Sequence, residues 1–324
     1  MSAPVSEARS TRLASLLLAA GAAFCLTPWG SPPLALALGA ALALTIGNPR
    51  PGPSRTAAKY LLQVSVVMLG FSMDLRKVLE AGASGMVFAA ATITATLALG
   101  WATGRWLSVE RTTSVLIASG TAICGGSAIA AVGTVIGAAD AQMSVAIGTV
   151  FLLNAAALYL FPMLGHLLHL SQSQFGTWAG VSIHDISSVV GATSVYGLEA
   201  LQRGTAVKLS RALWIVPLSL GAALAMRRVR SGPEGPARAR VAVPWFIGFF
   251  LIASVVRSAS AGVAAASPGI ARVARAGMTL TLFLIGAGLS RKALAAVGWR
   301  PLVQGILLWL AIGGLSLLVV MRSG

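Results

Sequence analysis

Two stretches of this chain carry reactive or polar residues where a plain bilayer-crossing segment would carry leucine and valine. They are Thr121 to Gly133, TAICGGSAIAAVG, and Ser182 to Thr193, SIHDISSVVGAT. Of the eight acids, seven fall in tails, loops or segment ends, and Asp185 alone sits inside an apolar run. An ionised carboxylate at mid-membrane costs a few kcal/mol unless it is paired, protonated or wetted, so such a residue marks a path for ions or protons. The plainer reading is an N-cap for the second half of a broken helix, and the two roles are compatible. His184 beside it could shuttle a proton or simply be a packed imidazole. Lys208 and Arg211, at i and i+3, share one helix face and could bring two cations to an anion, or snorkel to the outer interface.

Around these charges Gly125 and Gly126 permit tight backbone turns, and Thr121, Ser127, Ser187 and Ser188 offer hydroxyl donors. Cys124 and Asn154 complete the candidate set, Asn154 as a partner of the breaks or as glue between helices. A broken helix frees backbone N–H and C=O groups, which hydrocarbon tolerates only where they are buried in protein or line a wet cavity. The two stretches are therefore expected to form a site for a substrate and a coupling ion. Free N–H groups at the half-helix starts near Gly125 and Gly126, with the two cations, would favour an anion.

The elements that must position these residues follow from composition. With 56% hydrophobic and 10% charged residues in 324, the chain is an all-α polytopic membrane protein that uses the lipid bilayer as its partner. The net charge of +16 comes from Lys and Arg that punctuate the ends of apolar runs, which argues against nucleic acid. Two cysteines, both in apolar runs, give no disulfide framework and no zinc site. Nothing points to a cofactor or a metal.

About eleven spans are expected, in a single domain over 1–324: near 13–26, 34–46, 57–73, 84–106, 112–137, 142–164, 176–196, 204–226, 244–256, 270–289 and 302–320. The first imitates a signal peptide but runs on through Pro28 to Pro33 into another apolar segment, and is read as retained. Arginines at 9, 12, 50, 55, 105, 111, in the 227–241 loop and at 291, with Lys292, fall on one side, while Arg76 and Lys77 fall in a short outer connection and break the pattern. By the positive-inside rule residues 1–11 form a cytoplasmic tail, the Arg-rich loop is cytoplasmic and the C-terminus is periplasmic.

Laid on itself, the chain matches LGFSMDLRKVLEAG to IGAGLSRKALAAVG, with Gly70 on Gly286 and Arg76 on Lys292. The matched spans lie seven crossings apart and so run in opposite directions, as inverted transporter repeats require. A weaker match lays Ala122–Ile129 on Ser182–Val189, with Ser127 on Ser187. If the fifth and seventh segments both cross, they are parallel, and an inverted relation would need one of them to be re-entrant.

The blocks GTAICGGSAIAA, FGTWAGVSIHDISSVVGA and AVKLSRALWIVPLSL, in that order, together with LGFSMDLRKVLEAG, resemble the YeiH-like family of bacterial inner-membrane proteins described as sulfate exporters. The resemblance covers nearly the whole chain beyond the first dozen residues and the Arg-rich loop. It implies the cation/proton antiporter and anion transporter superfamily: ten or so helices, inverted repeats and two discontinuous helices crossing at mid-membrane. The expectation is then a secondary transporter exporting a small anion such as sulfate, with a proton or sodium coupled through Asp185. A channel is the nearest rival, and a structural or signalling membrane protein another. No HExxH or GxSxG signature suggests an enzyme. The repeat makes the protomer symmetrical and leaves a homodimer open.

Overall fold

The computed structural model describes residues 3–229, 245–289, 295 and 297–322. Most of the Arg-rich loop, and Arg291 with Lys292, lie outside the described residues. Among those described the chain forms fourteen helices: α1 Ala3–Cys25, α2 Pro32–Thr45, α3 Pro51–Gly70, α4 Leu75–Trp106, α5 Arg111–Ala122, α6 Gly126–Ile136, α7 Asp140–Leu167, α8 Gln172–Ser182, α9 Ile186–Tyr196, α10 Leu198–Ala212, α11 Ile215–Val229, α12 Trp245–Ala259, α13 Ala261–Ala287 and α14 Trp299–Arg322. The all-α membrane fold expected from composition is what forms. By length and hydropathy alone, α7, α13 and α14 qualify as spans. The others are shorter, interrupted or carry charges near their ends.

Local chemistry sets the ends. Proline opens α2 and α3, where its missing N–H costs no bond. Asp74, Ser171, Asp185 and Ser260 cap α4, α8, α9 and α13 through their side chains. The helix α1 begins at Ala3, so helical backbone takes in most of the segment expected as a tail.

Two groups of helices can be separated. In the first, α13 packs on α2 and α3, and α12 packs on α3. Glycines permit the closest approaches: a β-carbon at Gly70 would meet the Phe250 carbonyl of α12, and one at Gly286 the Leu36 carbonyl of α2. The two glycines paired by the stronger sequence match thus hold equivalent contacts. The second group gathers α4 to α10 and α14 around the chemistry-bearing stretches. Long-range bonds tie the helix ends, such as Asn48 Nδ2 to the Ala287 carbonyl at 2.9 Å and the Asp74–Arg257 ion pair at 2.9 Å.

The two interrupted segments differ from the simplest expectation. In place of one discontinuous span, each folds back on itself. Leu116 and Ile117 of α5 share a cluster with Ile129 and Val132 of α6, and a β-carbon at Gly133 would reach the Leu116 side chain. Phe175 of α8 stacks on Tyr196 of α9 with centroids 3.8 Å apart, and Gln172 Oε1 accepts from the Glu199 N–H. In a straight interrupted helix Phe175 and Tyr196 would stand about 30 Å apart. Each arm of 11 or 12 residues reaches about 17 Å, roughly half the hydrocarbon thickness. Between them α7 runs 28 residues: Gln142 in its first turn bonds Glu110 at the base of the first hairpin, and just past its end the Leu170 carbonyl accepts from Tyr196 at the base of the second. The hairpins therefore enter from opposite ends of α7, and their tips meet.

Candidate functional site

The tips are Ile123–Gly125, between α5 and α6, and Ile183–Asp185, between α8 and α9. Both breaks start and stop at positions that the weaker sequence match pairs, Ile123 with Ile183 and Gly125 with Asp185. Gly125 has φ 65° and ψ −126°, a conformation that costs an L-residue strain, and its Cα approaches so closely that an added β-carbon would lie 3.5 Å from the His184 carbonyl.

At the second tip Asp185 caps α9. Its Oδ1 accepts from the Ser188 N–H at 2.7 Å and the Ser187 hydroxyl at 2.5 Å, and its Oδ2 from the Ser188 hydroxyl at 2.8 Å and Asn154 Nδ2 at 2.5 Å. Asn154, at the middle of α7, also accepts the His184 N–H on Oδ1 at 3.0 Å. The bond to the break, not helix glue, is the role this asparagine fills. Four donors on one carboxylate offset most of the desolvation of a half-buried charge.

At the first tip the charge comes from outside the hairpin. Lys208, 0% exposed, points Nζ at the Ile123 carbonyl, 3.3 Å away. Arg211, 1% exposed, donates to the Ala122 carbonyl and, at 2.7 Å, to the Thr92 hydroxyl of α4. Snorkelling to an interface is thereby excluded for both. Nor do they sit at the half-helix starts, as expected: they hold the last carbonyls of α5, the negative end of that helix. Neither forms an ion pair within the described residues, and Arg211 Nε has no partner.

Of the remaining predicted residues, Thr121 and His184 are buried with polar atoms that find no partner among the described residues: the threonine hydroxyl and both ring nitrogens. Cys124 is a buried free thiol whose sulfur faces the Ser127 hydroxyl and the Ala128 N–H. Ser127 is exposed and Gly126 half-exposed, beside Phe151. Phe151, Asn154, Asp185 and Ser188 line a crevice whose other wall is Leu36, Ile285 and Leu289 of the first helix group. A second crevice, along Ala43–Asn48 and Ala287–Leu289, shares Leu289 with it and leads to the end of the bundle where Asn48 lies.

All twelve predicted residues thus lie on or next to the two tips. Sequence reasoning passes over Thr92, one of four threonines on α4 with nothing to distinguish it, and Phe151. It also passes over the buried triangle of Gln304, Ser114 and the Gly100 carbonyl, which ties α14 to α4 and α5 below the first tip. The polar Gln304 inside an apolar run is the available signal.

Residues 12–305 match the family described as conserved hypothetical protein 698. The chain is 48% identical over 286 residues to a UPF0324 membrane protein of Bacteroides thetaiotaomicron, covering 88% of this chain and 84% of that one. It is 48% identical over 298 residues to one of Porphyromonas gingivalis (91% and 88%), and 45% over 307 residues to one of Bdellovibrio bacteriovorus (95% and 94%). No solved structure matches.

Proposed function

Because the chain belongs to the UPF0324 family of membrane proteins, the YeiH-like family, we propose that it is a secondary transporter for a small anion, sulfate or a related oxyanion, in the bacterial inner membrane. The observation that carries this reading is the charge at the meeting hairpin tips. Two fully buried cations, Lys208 and Arg211, stand against one carboxylate, Asp185, and neither cation is ion-paired among the described residues. Burying an ion costs several kcal/mol, and carbonyl contacts offset only part of it. An anion bound beside the first tip would supply the rest.

Alternating access follows from the two helix groups. The crevice lies where α2 and α13 face the tips, so rocking one group on the other would open it to either side in turn. The equivalent contacts of Gly70 and Gly286, and the opposed entry of the hairpins, support an inverted repeat. Two re-entrant hairpins in place of two spans lower the crossing number by two. Only the short connections at either end of α7 change sides, and every arginine-bearing loop stays where it is expected. The N-terminus remains cytoplasmic and the C-terminus periplasmic in this reading. Asp185, with His184 beside it, carries the coupling proton or sodium.

The test is labelled sulfate flux into proteoliposomes of purified protein, with and without imposed proton and sodium gradients. Saturable flux that follows one gradient is expected. Flux in Asp185→Asn that keeps its pH or sodium dependence removes the coupling role. Currents at rates beyond a rocking carrier would make the protein a channel instead.

A further inference from the structure

The two tips offer the same donors at matched positions, and only one set is filled by a carboxylate. At α9, Asp185 takes the Ser187 hydroxyl and the Ser188 N–H. At α6 the equivalent donors, the Ser127 hydroxyl and the Ala128 N–H, meet the sulfur of Cys124, a weak acceptor, and no carboxylate among the described residues. The cap position itself is Gly125, which has no side chain to offer. Ser127 is exposed and Gly126 half-exposed, so this helix end is open, whereas Ser187 is sealed at 1% exposure.

A second feature points to an occupant. His184 lies against Gly125 through its backbone, is 1% exposed and, among the described residues, has no partner for either ring nitrogen. Lys208 and Arg211 reach the same tip, at the Ile123 and Ala122 carbonyls. A buried imidazole with two idle nitrogens is costly unless something fills the place. Lys208 and Arg211 against Asp185 leave one positive charge in surplus.

Resting on the reading of an anion transporter, we infer that a small oxyanion binds at the open N-terminal end of α6, beside Cys124 and His184, in the capping position that Asp185 fills at α9. One negative charge on the occupant balances the surplus. A dianion would need one accompanying proton or cation. The occupant accepts from the Ser127 hydroxyl and the free N–H groups of the first turn, and His184 supplies one more donor.

A carboxylate supplied by the protein itself should displace such an anion. The full-length protein in detergent, in a gluconate background at constant ionic strength, is melted while nitrate or sulfate is added. Wild type is expected to show a saturable rise in melting temperature, and Cys124→Asn to keep more of it than Cys124→Asp. Cys124→Asp should lose it, with apparent affinity at least tenfold weaker. Should Cys124→Asp not fold, Ser127→Asp puts the charge at the same helix end from an exposed position, with the same expectation. Undiminished binding by the folded aspartate variants, equal loss in Cys124→Asn and Cys124→Asp, or no response of wild type to either anion overturns the proposal. Flux of the same anions is read separately. Binding without flux overturns the transport reading and keeps the site, and flux with undiminished binding in the aspartate variants does the reverse.

Discussion

The hairpins α5–α6 and α8–α9 are built to one plan and stabilised in two ways. Both have arms of 11 or 12 residues joined by a short break, Ile123–Gly125 in one and Ile183–Asp185 in the other. The second hairpin carries its own charge: Asp185 caps α9, and one neutral residue of α7, Asn154, ties the tip down. The first has no charged residue at its tip, and its last α5 carbonyls are held by two cations from α10. A self-capped tip has its helix end closed without an anion, whereas a tip held at its carbonyl end by foreign cations, with its N–H end open, is the one that the proposed anion would complete.

The sharpest way to break this comparison is to remove the foreign charge. Arg211→Met strips the Ala122 carbonyl and the Thr92 hydroxyl of their donor in a fully buried place, and should cost about 3 kcal/mol and abolish anion flux. An unchanged melting temperature, or retained flux, would show that the first tip does not depend on α10. Next in size is Asp185→Ala, which loses the α9 cap and leaves Asn154 and two serines without their acceptor, for about 2 kcal/mol. Asp185→Asn keeps an acceptor for the Ser188 N–H and should cost less than half as much. Equal melting losses for the two variants would mean that the carboxylate's charge, not its geometry, holds the second tip.

Gly125→Ala isolates the backbone. The left-handed φ makes a side chain strained there, and the β-carbon would press on Val150 at 3.3 Å, so about 1–2 kcal/mol is expected. Gly126→Ala, with regular helical backbone and nothing nearer than 3.6 Å, should be close to neutral. Thermal melts of the pair check whether the break needs its glycine for conformation or only for space.

The breaks themselves were legible. Gly125, Gly126 and Ser127 cannot sustain a lipid-facing helix, and an Asp in an apolar run reads as a cap or a site. The fold-back was not legible, because the stretch from Arg111 to Ile136 is long enough either to cross or to return. What decides is whether Leu116 meets Gly133 and Phe175 meets Tyr196, contacts between the two arms of a hairpin that no periodicity announces. The arginine pattern could not help. Exchanging two crossings for two hairpins moves only the connections that flank α7, and neither of those carries an arginine. Lys208 and Arg211 were found by residue type, but their partners are backbone carbonyls, which every sequence has.

The smallest effect tests the comparison at a single pair of equivalent positions. Ser187 and Ser127 are matched, each the second residue of its hairpin's returning helix. Ser187 is buried and donates to Asp185 at 2.5 Å, so Ser187→Ala should cost about 1–2 kcal/mol. Ser127 is exposed and faces a thiol, so Ser127→Ala should stay within about 0.5 kcal/mol of wild type in the absence of anions. With nitrate or sulfate at saturation the order should change: Ser127→Ala loses part of the anion-dependent rise in melting temperature, and Ser187→Ala keeps it in full. If the two serines respond alike to the anion, the tips are equivalent in function as well as in plan, and the asymmetry of their caps does not select where a ligand binds.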